Sequence, residues 1–290
     1  MKFSEIKDKI KNLGNYKSLD EIKRDDLRVC KNPKYGDYWL IEKDYLKPVV
    51  IDYENCETNK LNPNMVLFSF PEIDYSTVAW KACDYIAWGN TIETKGKQKQ
   101  VAGIALSQTS SLKGRRFWYS FSTPDVESDI FWQKRTGERF AVFFSENKIY
   151  SDQKFYPFIS YVSNKASLVA SLNSIVQRLF FETLSMSYTG AFTLIEISVE
   201  DVENLPCVDP SALGSISEND LEIPFQSIFK DLGIEKNEAV TNLQVYADRV
   251  KIDKAVFDAI GLNKAEQKQV YLEVANQVNK RLKKSSSTGE

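Results

Sequence analysis

The stretch KGRRFWYSFSTPDVESDIFWQKRTGERFAVFFSENKIYSDQKFYPF (113–158) carries the strongest pattern in the sequence. Its short apolar runs, separated by turn-forming residues, are typical of strands in an antiparallel sheet. Cations recur among its aromatic residues. On a protein surface that binds nucleic acid, Lys and Arg contact phosphates or guanine edges, and aromatic side chains stack on an unstacked base. The alternative is an ordinary sheet with one buried aromatic face and one solvated charged face.

Composition sets the protein class. The 290 residues suffice for one large or two modest domains, and 42% apolar with 27% charged residues are ordinary globular values. A net charge of −2 argues against a protein coated in positive charge but leaves room for a local basic patch. The sequence has no His, which excludes Ser-His-Asp and Cys-His catalysis. Its four scattered Cys support neither a zinc site nor a disulfide framework, so we expect a cytoplasmic protein.

No segment of the sequence predicts a membrane partner. The N-terminal residues MKFSEIKDKIKNLG (1–14) form an amphipathic polar pattern without the apolar centre of a signal peptide. No apolar run approaches the roughly 20 residues that a membrane-spanning helix needs.

The chain predicts an α+β fold. We expect a curved, mostly antiparallel sheet with flanking helices, followed by a helical C-terminal region. The predicted segments are an N-terminal helical segment (1–37), a sheet-containing domain that includes a helix at 167–186 (38–212), and the helical C-terminal region (213–290). The helix signals are Ser18 as an N-cap with Glu21 three residues later, a helix at 76–89 closed by Gly89, Ser167 as a cap, and a helix break at Gly261.

A polar, lysine-rich segment at 91–116 precedes the aromatic stretch and predicts a long loop. Lys95, Lys97 and Lys99 alternate, so in a strand they would share one face. A solvated charge run explains them equally well.

The sequence carries few catalytic motifs. It has no glycine-rich phosphate loop, no GxGxxG motif and no metal-ligand cluster. KNPKYGDYW (31–39) is superficially similar to the Asn-Pro-Pro-Tyr motif of amino-methyltransferases, but it has one Pro followed by Lys. We interpret Asn32-Pro33 as a turn.

Seven blocks, taken in order, resemble the C-terminal portion of adenine-specific DNA methyltransferases, including the fused restriction–modification enzymes called type IIG. The blocks are KDYLKPVV (43–50), DYIAWG (84–89), GRRFWYSF (114–121), RFAVFFSENKIYSDQKFYPF (139–158), SLVASLNSIVQRLFFETL (167–184), ISVEDVENLPCVDP (197–210) and DRVKIDKAVFDAIGLNKAEQKQVYLEV (248–274). In that family this portion is a TaqI-like target recognition domain followed by a helical tail.

The resemblance implies a sequence-specific double-stranded DNA-binding module that is not an enzyme by itself. The family's catalytic domain, with its S-adenosylmethionine site, would be fused to this chain or encoded separately, and we expect no cofactor on this chain. The sequence places candidate DNA contacts in the loop and in the aromatic stretch. They are Lys95, Lys97, Gln98, Lys99, Gln100, Gln108, Ser110, Ser111, Lys113, Arg115, Arg116, Gln133, Lys134, Arg135, Arg139, Lys148 and Lys154.

Within this set, we expect Arg115 and Arg116 to contact base edges or phosphates, and the amide and hydroxyl side chains to contact bases. The other Lys and Arg residues of the aromatic stretch are phosphate candidates. Trp118 and Tyr119 are expected in the core. Two alternatives remain: a protein-interaction subunit that docks a separate methyltransferase without its own DNA specificity, and an enzyme whose catalytic centre carries no recognisable motif.

Overall fold

A computed structural model describes residues 2–63, 65–93, 105–109, 112–120, 126–184, 194–236 and 243–286. The helices are α1 (Phe3–Ile6), α2 (Leu19–Arg24), α3 (Lys81–Thr91), α4 (Lys165–Asn173), α5 (Ile175–Leu184), α6 (Val199–Asn204), α7 (Ile228–Asp231), α8 (Ala247–Ala259) and α9 (Lys264–Ser286). The strands are β1 (Leu27–Lys31), β2 (Tyr38–Glu42), β3 (Leu46–Val50), β4 (Met65–Phe68), β5 (Ser128–Gln133), β6 (Arg135–Thr136), β7 (Val142–Ser151), β8 (Phe155–Pro157) and β9 (Ile195–Glu196). The predicted α+β class is confirmed.

The chain divides into two compact units. Unit 1 comprises Met1–Pro48 and Val66–Asp125, and unit 2 comprises Val49–Met65 and Val126–Glu290. These limits do not coincide with the predicted segment ends at 37 and 212. The division also separates the aromatic stretch 113–158 into two parts, one in each unit. Residues 112–120 form turns and bends rather than a strand, so the expectation of one continuous sheet surface is wrong.

The N-terminal residues of unit 1 pack on a β-hairpin. β1 and β2 pair antiparallel, and Leu27 and Leu40 share a core with Ile6, Ile10 and Ile22. The 1–37 segment is therefore not wholly helical, because it contributes β1. Ser18 caps α2 as predicted, since its Oγ accepts a hydrogen bond from the Glu21 amide at 3.2 Å.

The second half of unit 1 is built around α3. This helix begins at Lys81, later than predicted, because the Glu42 carboxylate accepts hydrogen bonds from the first two helical amides at 2.6 and 2.9 Å. Tyr119 is 4% exposed and Trp118 packs beside it, so the prediction that both belong to the core is confirmed. Gly89 lies within α3 instead of ending it, and the Trp118 ring covers it.

Unit 2 contains a mixed sheet. β5 pairs antiparallel with β7 and β8, and the end of β3 pairs parallel with β7. One face, with Ile130 and Trp132, packs against residues of α4 and α5. The opposite face, with Phe131 and Phe143, packs against Leu61 and Phe225. Around these residues both faces are apolar and buried, which contradicts the expectation of one continuous solvated, cation-bearing face; the exposed residues of β7 are Glu146, Asn147 and Lys148.

The predicted helix at 167–186 is two helices. Its described part breaks at Ser174, whose backbone is extended (φ −66°, ψ 157°). Asn164, not Ser167, caps α4, because its Oδ1 accepts from the Ser167 amide at 3.1 Å. The Asp253 carboxylate accepts a hydrogen bond from the Ile175 amide at 2.7 Å, so the first amide of α5 has a partner and α5 begins there as a separate helix.

Asp253 belongs to a buried polar network that joins α5, α7, α8 and α9. Its second oxygen accepts from the Tyr271 hydroxyl at 2.9 Å, and Arg249 bonds Asp231 at 2.9 Å. Burial raises the pKa of Asp253 to about 6, although the Arg249 guanidinium opposes the rise. α8 and α9 are separated at Gly261, where φ is +72°, so the predicted break is confirmed.

Within the described ranges, no helix is both long enough and apolar enough to cross a bilayer.

We expect Gly89→Ala to destabilise unit 1, although Ala is the better helix former. A Cβ atom at this position would lie 2.3 Å from Trp118 Cζ2. The Trp118 ring cannot move freely, because its Nε1 donates to Asn90 Oδ1 at 2.7 Å. Chemical denaturation should show a loss of about 1–3 kcal/mol in the free energy of unfolding, the usual result of overpacking.

The matched control is Gly114→Ala, where a Cβ meets no atom within 4 Å. Its free energy of unfolding should stay within about 0.5 kcal/mol of the parent value. Equal effects of the two substitutions would contradict the close packing of Gly89 and Trp118.

Candidate functional site

The predicted contact residues fall into three groups. Seven of them, Lys95, Lys97, Gln98, Lys99, Gln100, Ser110 and Ser111, lie outside the described residues. Four lie on turns of unit 1: Gln108, Lys113, Arg115 and Arg116. Six lie in unit 2: Gln133, Lys134, Arg135, Arg139, Lys148 and Lys154. The structure brings most of the unit 2 group together.

The unit 1 group is exposed and held by turns. The Lys113 amide donates to Thr109 O and the Arg115 amide donates to Leu112 O, each at 2.9 Å. The Arg116 guanidinium lies over the Phe117 ring, 5.1 Å from its centroid. These turns keep cations at the surface beside aromatic residues that are largely in the core.

Unit 2 contains a cleft of about 740 Å³. Among its described lining residues are five cations, Lys134, Arg135, Arg139, Lys154 and Lys236, and three glutamates, Glu54, Glu138 and Glu196. Lys148 is exposed on β7 and is not among the residues that line the cleft. Lys134, Arg135, Arg139 and Lys154 therefore lie at strand ends and turns instead of on a sheet face, because apolar residues cover the sheet beside them.

A five-residue segment, 135–139, forms one wall of the cleft and is named here the cleft loop. It includes β6 and leads towards β7. Hydrogen bonds hold several of its carbonyl groups. Arg135 O accepts from Gln133 Nε2 at 2.6 Å and from the Tyr53 hydroxyl at 2.9 Å, and Glu138 O accepts from the Ile228 amide at 3.1 Å. The loop backbone is thus fixed from several directions.

Gln133 is a structural residue of this loop and not a base contact. It is 3% exposed. Its Nε2 donates to Arg135 O at 2.6 Å and to Arg139 O at 3.4 Å, and its Oε1 accepts from the Ala141 amide at 3.3 Å. Because these bonds occupy both ends of the amide, the expectation that Gln133 contacts a base is wrong.

Two arginines donate hydrogen bonds to the backbone carbonyl of Gly137. Arg178 Nη2 of α5 donates to Gly137 O at 2.9 Å, and Arg281 Nη2 of α9 donates to it at 3.0 Å. Both guanidinium groups pair with the Glu182 carboxylate, at 2.5 Å from Arg178 and at 3.0 and 3.1 Å from Arg281. The three side chains are 3%, 9% and 2% exposed for Arg178, Arg281 and Glu182.

Aromatic rings complete the environment of Arg178. Its guanidinium carbon lies 5.0 Å from the Phe140 centroid and 5.5 Å from the Phe181 centroid. Burial lowers the pKa of Arg178 to about 10, and the Glu182 carboxylate opposes the fall. Arg178 therefore remains charged at neutral pH.

Lys134, Arg135 and Lys154 of the cleft are already paired with carboxylates. Arg135 Nε lies 3.0 Å and Lys134 Nζ 3.8 Å from the Glu196 carboxylate. Lys154 Nζ lies 3.1 Å from Asp52 and 3.6 Å from Glu54. The hydrogen bond with Asp52 raises the pKa of Lys154, so this ammonium stays protonated. A polyanion entering the cleft would have to exchange with these carboxylates.

Arg139 is held differently. Its guanidinium lies 4.5 Å from the Phe225 centroid, and its Nη1 donates to Glu54 O at 3.2 Å. Stacking leaves the guanidinium edge as the polar surface, which suits planar recognition of a phosphate or a base edge.

Sequence reasoning missed Lys236, which pairs with Glu138. No local pattern marks it, since it follows an apolar helical turn rather than an aromatic strand. It reaches the cleft because the Arg139–Ser227 bridge and the bond from the Ile228 amide to Glu138 O join two distant parts of the chain.

The Asn32-Pro33 motif is a turn, as predicted. Asn32 Oδ1 accepts hydrogen bonds from the amides of Lys34 at 3.0 Å and Tyr35 at 3.2 Å. Its Nδ2 donates to the Tyr85 hydroxyl at 3.0 Å. The amide group that a methyltransferase would use for its target is engaged within the turn and with Tyr85.

We expect Gln133→Leu to lower the free energy of unfolding by about 2–4 kcal/mol, because it removes the partners of buried backbone groups in the cleft loop. Gln153→Leu is the matched control, since Gln153 lines the same cleft but is exposed. It should change the free energy by about 0.5 kcal/mol or less. Urea denaturation of both variants measures the difference, and a neutral Gln133→Leu would refute the structural role.

Comparison with known proteins gives one fold likeness. No protein-family model matches the chain, and no curated protein matches it. Among solved structures, the fold is similar to part of the type IIG restriction endonuclease BpuSI, with a TM-score of 0.51 and 15% sequence identity. The likeness covers 86% of this chain and 27% of that enzyme. The chain therefore shares the fold of about a quarter of a restriction enzyme.

Proposed function

We propose that this chain is the target recognition part of a cytoplasmic restriction–modification system, either an adenine-specific DNA methyltransferase or a type IIG enzyme, and that it binds double-stranded DNA sequence-specifically. The observation that carries the proposal is the fold likeness over 86% of the chain to a type IIG restriction endonuclease. The seven ordered sequence blocks lead independently to the same class of enzyme.

Catalysis would reside on another domain or subunit. The likeness covers only 27% of the neighbouring enzyme, which is compatible with a recognition module that works beside a larger catalytic part. S-adenosylmethionine would bind to that catalytic part. The absence of His and of phosphate-loop and GxGxxG motifs supports the same division of roles.

The chemistry of adenine methylation explains why such a module is needed. The target base must leave the stack to reach a catalytic pocket, so another part of the enzyme has to grip the duplex. Phosphate contacts set the register of the grip and a few base-edge contacts select the sequence. Lys134, Arg135, Arg139 and Lys154 in the cleft supply the first kind of contact. Arg115 and Arg116 are our candidates for the second.

The ion pairs of the cleft favour a specific alternative. Because Lys134, Arg135 and Lys154 already have carboxylate partners, the chain could instead dock a separate methyltransferase subunit and leave DNA specificity to it. Binding to duplex DNA distinguishes the two hypotheses.

We expect the full chain to bind a random-sequence duplex pool at 50 mM salt and to lose most of that affinity by 200 mM. Six to ten neutralised phosphates would give a fall of roughly 10³–10⁵-fold over this range, because each contact releases condensed counterions. Fluorescence anisotropy against salt concentration measures the slope. The proposal fails if no binding is seen at 50 mM, or if the affinity does not depend on salt.

Arg115→Ala and Arg116→Ala should relax the sequence that the protein selects from a randomised duplex pool, because one good base contact discriminates by about 1–3 kcal/mol. Lys154→Ala is the control, since loss of a cleft lysine that contacts a phosphate should weaken binding to all sequences alike. Sequencing of the selected duplexes gives the motif for each variant. An unchanged motif in both arginine variants would remove Arg115 and Arg116 from base recognition.

A further inference from the structure

The buried cluster of Arg178, Glu182 and Arg281 lies directly behind the cleft loop. Its two guanidinium groups come from different helices, α5 and α9, yet they donate to the same backbone oxygen, that of Gly137, at 2.9 and 3.0 Å. The cleft-lining side chains Arg135 and Arg139 lie two residues to either side of this oxygen. The cluster therefore fixes the centre of the segment that carries them.

Helix pairing alone does not require this arrangement. A single Arg and Glu182 would satisfy each other, yet both guanidinium groups pair with Glu182 in a site that is at most 9% exposed. The Gly137 carbonyl accepts from both, and the rings of Phe140 and Phe181 lie beside the Arg178 guanidinium. The second arginine thus finds a partner in the loop.

Gly137 also has little room for a side chain. A Cβ at this position would lie 3.1 Å from Leu194 Cδ2. The loop is held at its Gly137 carbonyl by two charged donors, which bind more strongly than neutral ones.

We infer that Arg281, with Arg178, is a positioning residue for DNA recognition: it holds the cleft loop so that Arg135 and Arg139 meet DNA in one geometry. The C-terminal helix α9 is then part of the recognition apparatus. This inference rests on the proposed function, because it assigns the loop's guanidinium groups to DNA. Pre-organisation of this kind strengthens binding by reducing what must be ordered on association.

The test uses the full chain with Arg281→Met, which keeps the length of the side chain and leaves Arg178 and Glu182 as a neutral pair. Arg281→Lys, which retains the charge but loses the planar fork, provides a milder second variant. Tyr271→Phe is the control on the same helix, since it removes a buried hydrogen bond to Asp253 instead of one to the cleft loop.

The first measurement is amide hydrogen exchange in the free protein. We expect peptides that cover the cleft loop to exchange at least about tenfold faster in Arg281→Met, less so in Arg281→Lys, and at the parent rate in Tyr271→Phe. Parent-like exchange in both Arg281 variants would overturn the inference whether or not the chain binds DNA.

The second measurement is affinity for a duplex that the parent protein selects from a random pool. Arg281→Met should bind it at least about tenfold more weakly, while Tyr271→Phe stays within about twofold. Faster exchange with parent-like affinity and motif would show that the loop is held but does not contact DNA, which overturns its role in recognition. A parent protein that binds no duplex would remove the proposed function and this role together, and the exchange data would still decide whether the arginines hold the loop.

Discussion

The structure of unit 2 depends on one constraint: charged groups that folding buries must find partners. Glu182 is 2% exposed, so its carboxylate is stable only because Arg178 and Arg281 approach it within 2.5–3.1 Å. This requirement links α5 to α9, since Glu182 of α5 pairs with Arg281 of α9. It also determines where the cleft loop lies, because the same guanidinium groups donate to Gly137 O.

The Asp253 network meets the same requirement at the other end of α5. There a carboxylate from α8 accepts the first amide of α5, and Tyr271 of α9 donates to its second oxygen. One helix is thus held at both ends by buried charges from the two C-terminal helices. The chain turns at Ser174, and this turn brings the Ile175 amide within hydrogen-bond distance of Asp253.

Local patterns predicted what local physics controls. The Ser18 cap, the break at Gly261 and the core position of Tyr119 follow from residue type and spacing, and each is present. The sequence predicted poorly what depends on partners far along the chain. Gln133 has an amide side chain of the kind that contacts bases. In the structure this amide supports the cleft loop, because it is hydrogen-bonded to the backbone of Arg135, Arg139 and Ala141. The sheet was expected to have a charged face because its cations are close in sequence to its strands, yet apolar residues from 50–61 and 225 cover that face.

The pairing of the cleft cations has a consequence for specificity. Phosphate contacts carry no sequence information, so a module that bound phosphates too readily would hold any duplex. Glu196, Asp52 and Glu54 compete for Lys134, Arg135 and Lys154, and a phosphate must displace them. Under the proposed function, this competition would lower affinity for every sequence alike, and base-edge contacts would offset it only at the correct site. An internally paired cleft would then suit a selective DNA-binding module, and it agrees with a chain whose net charge is only −2.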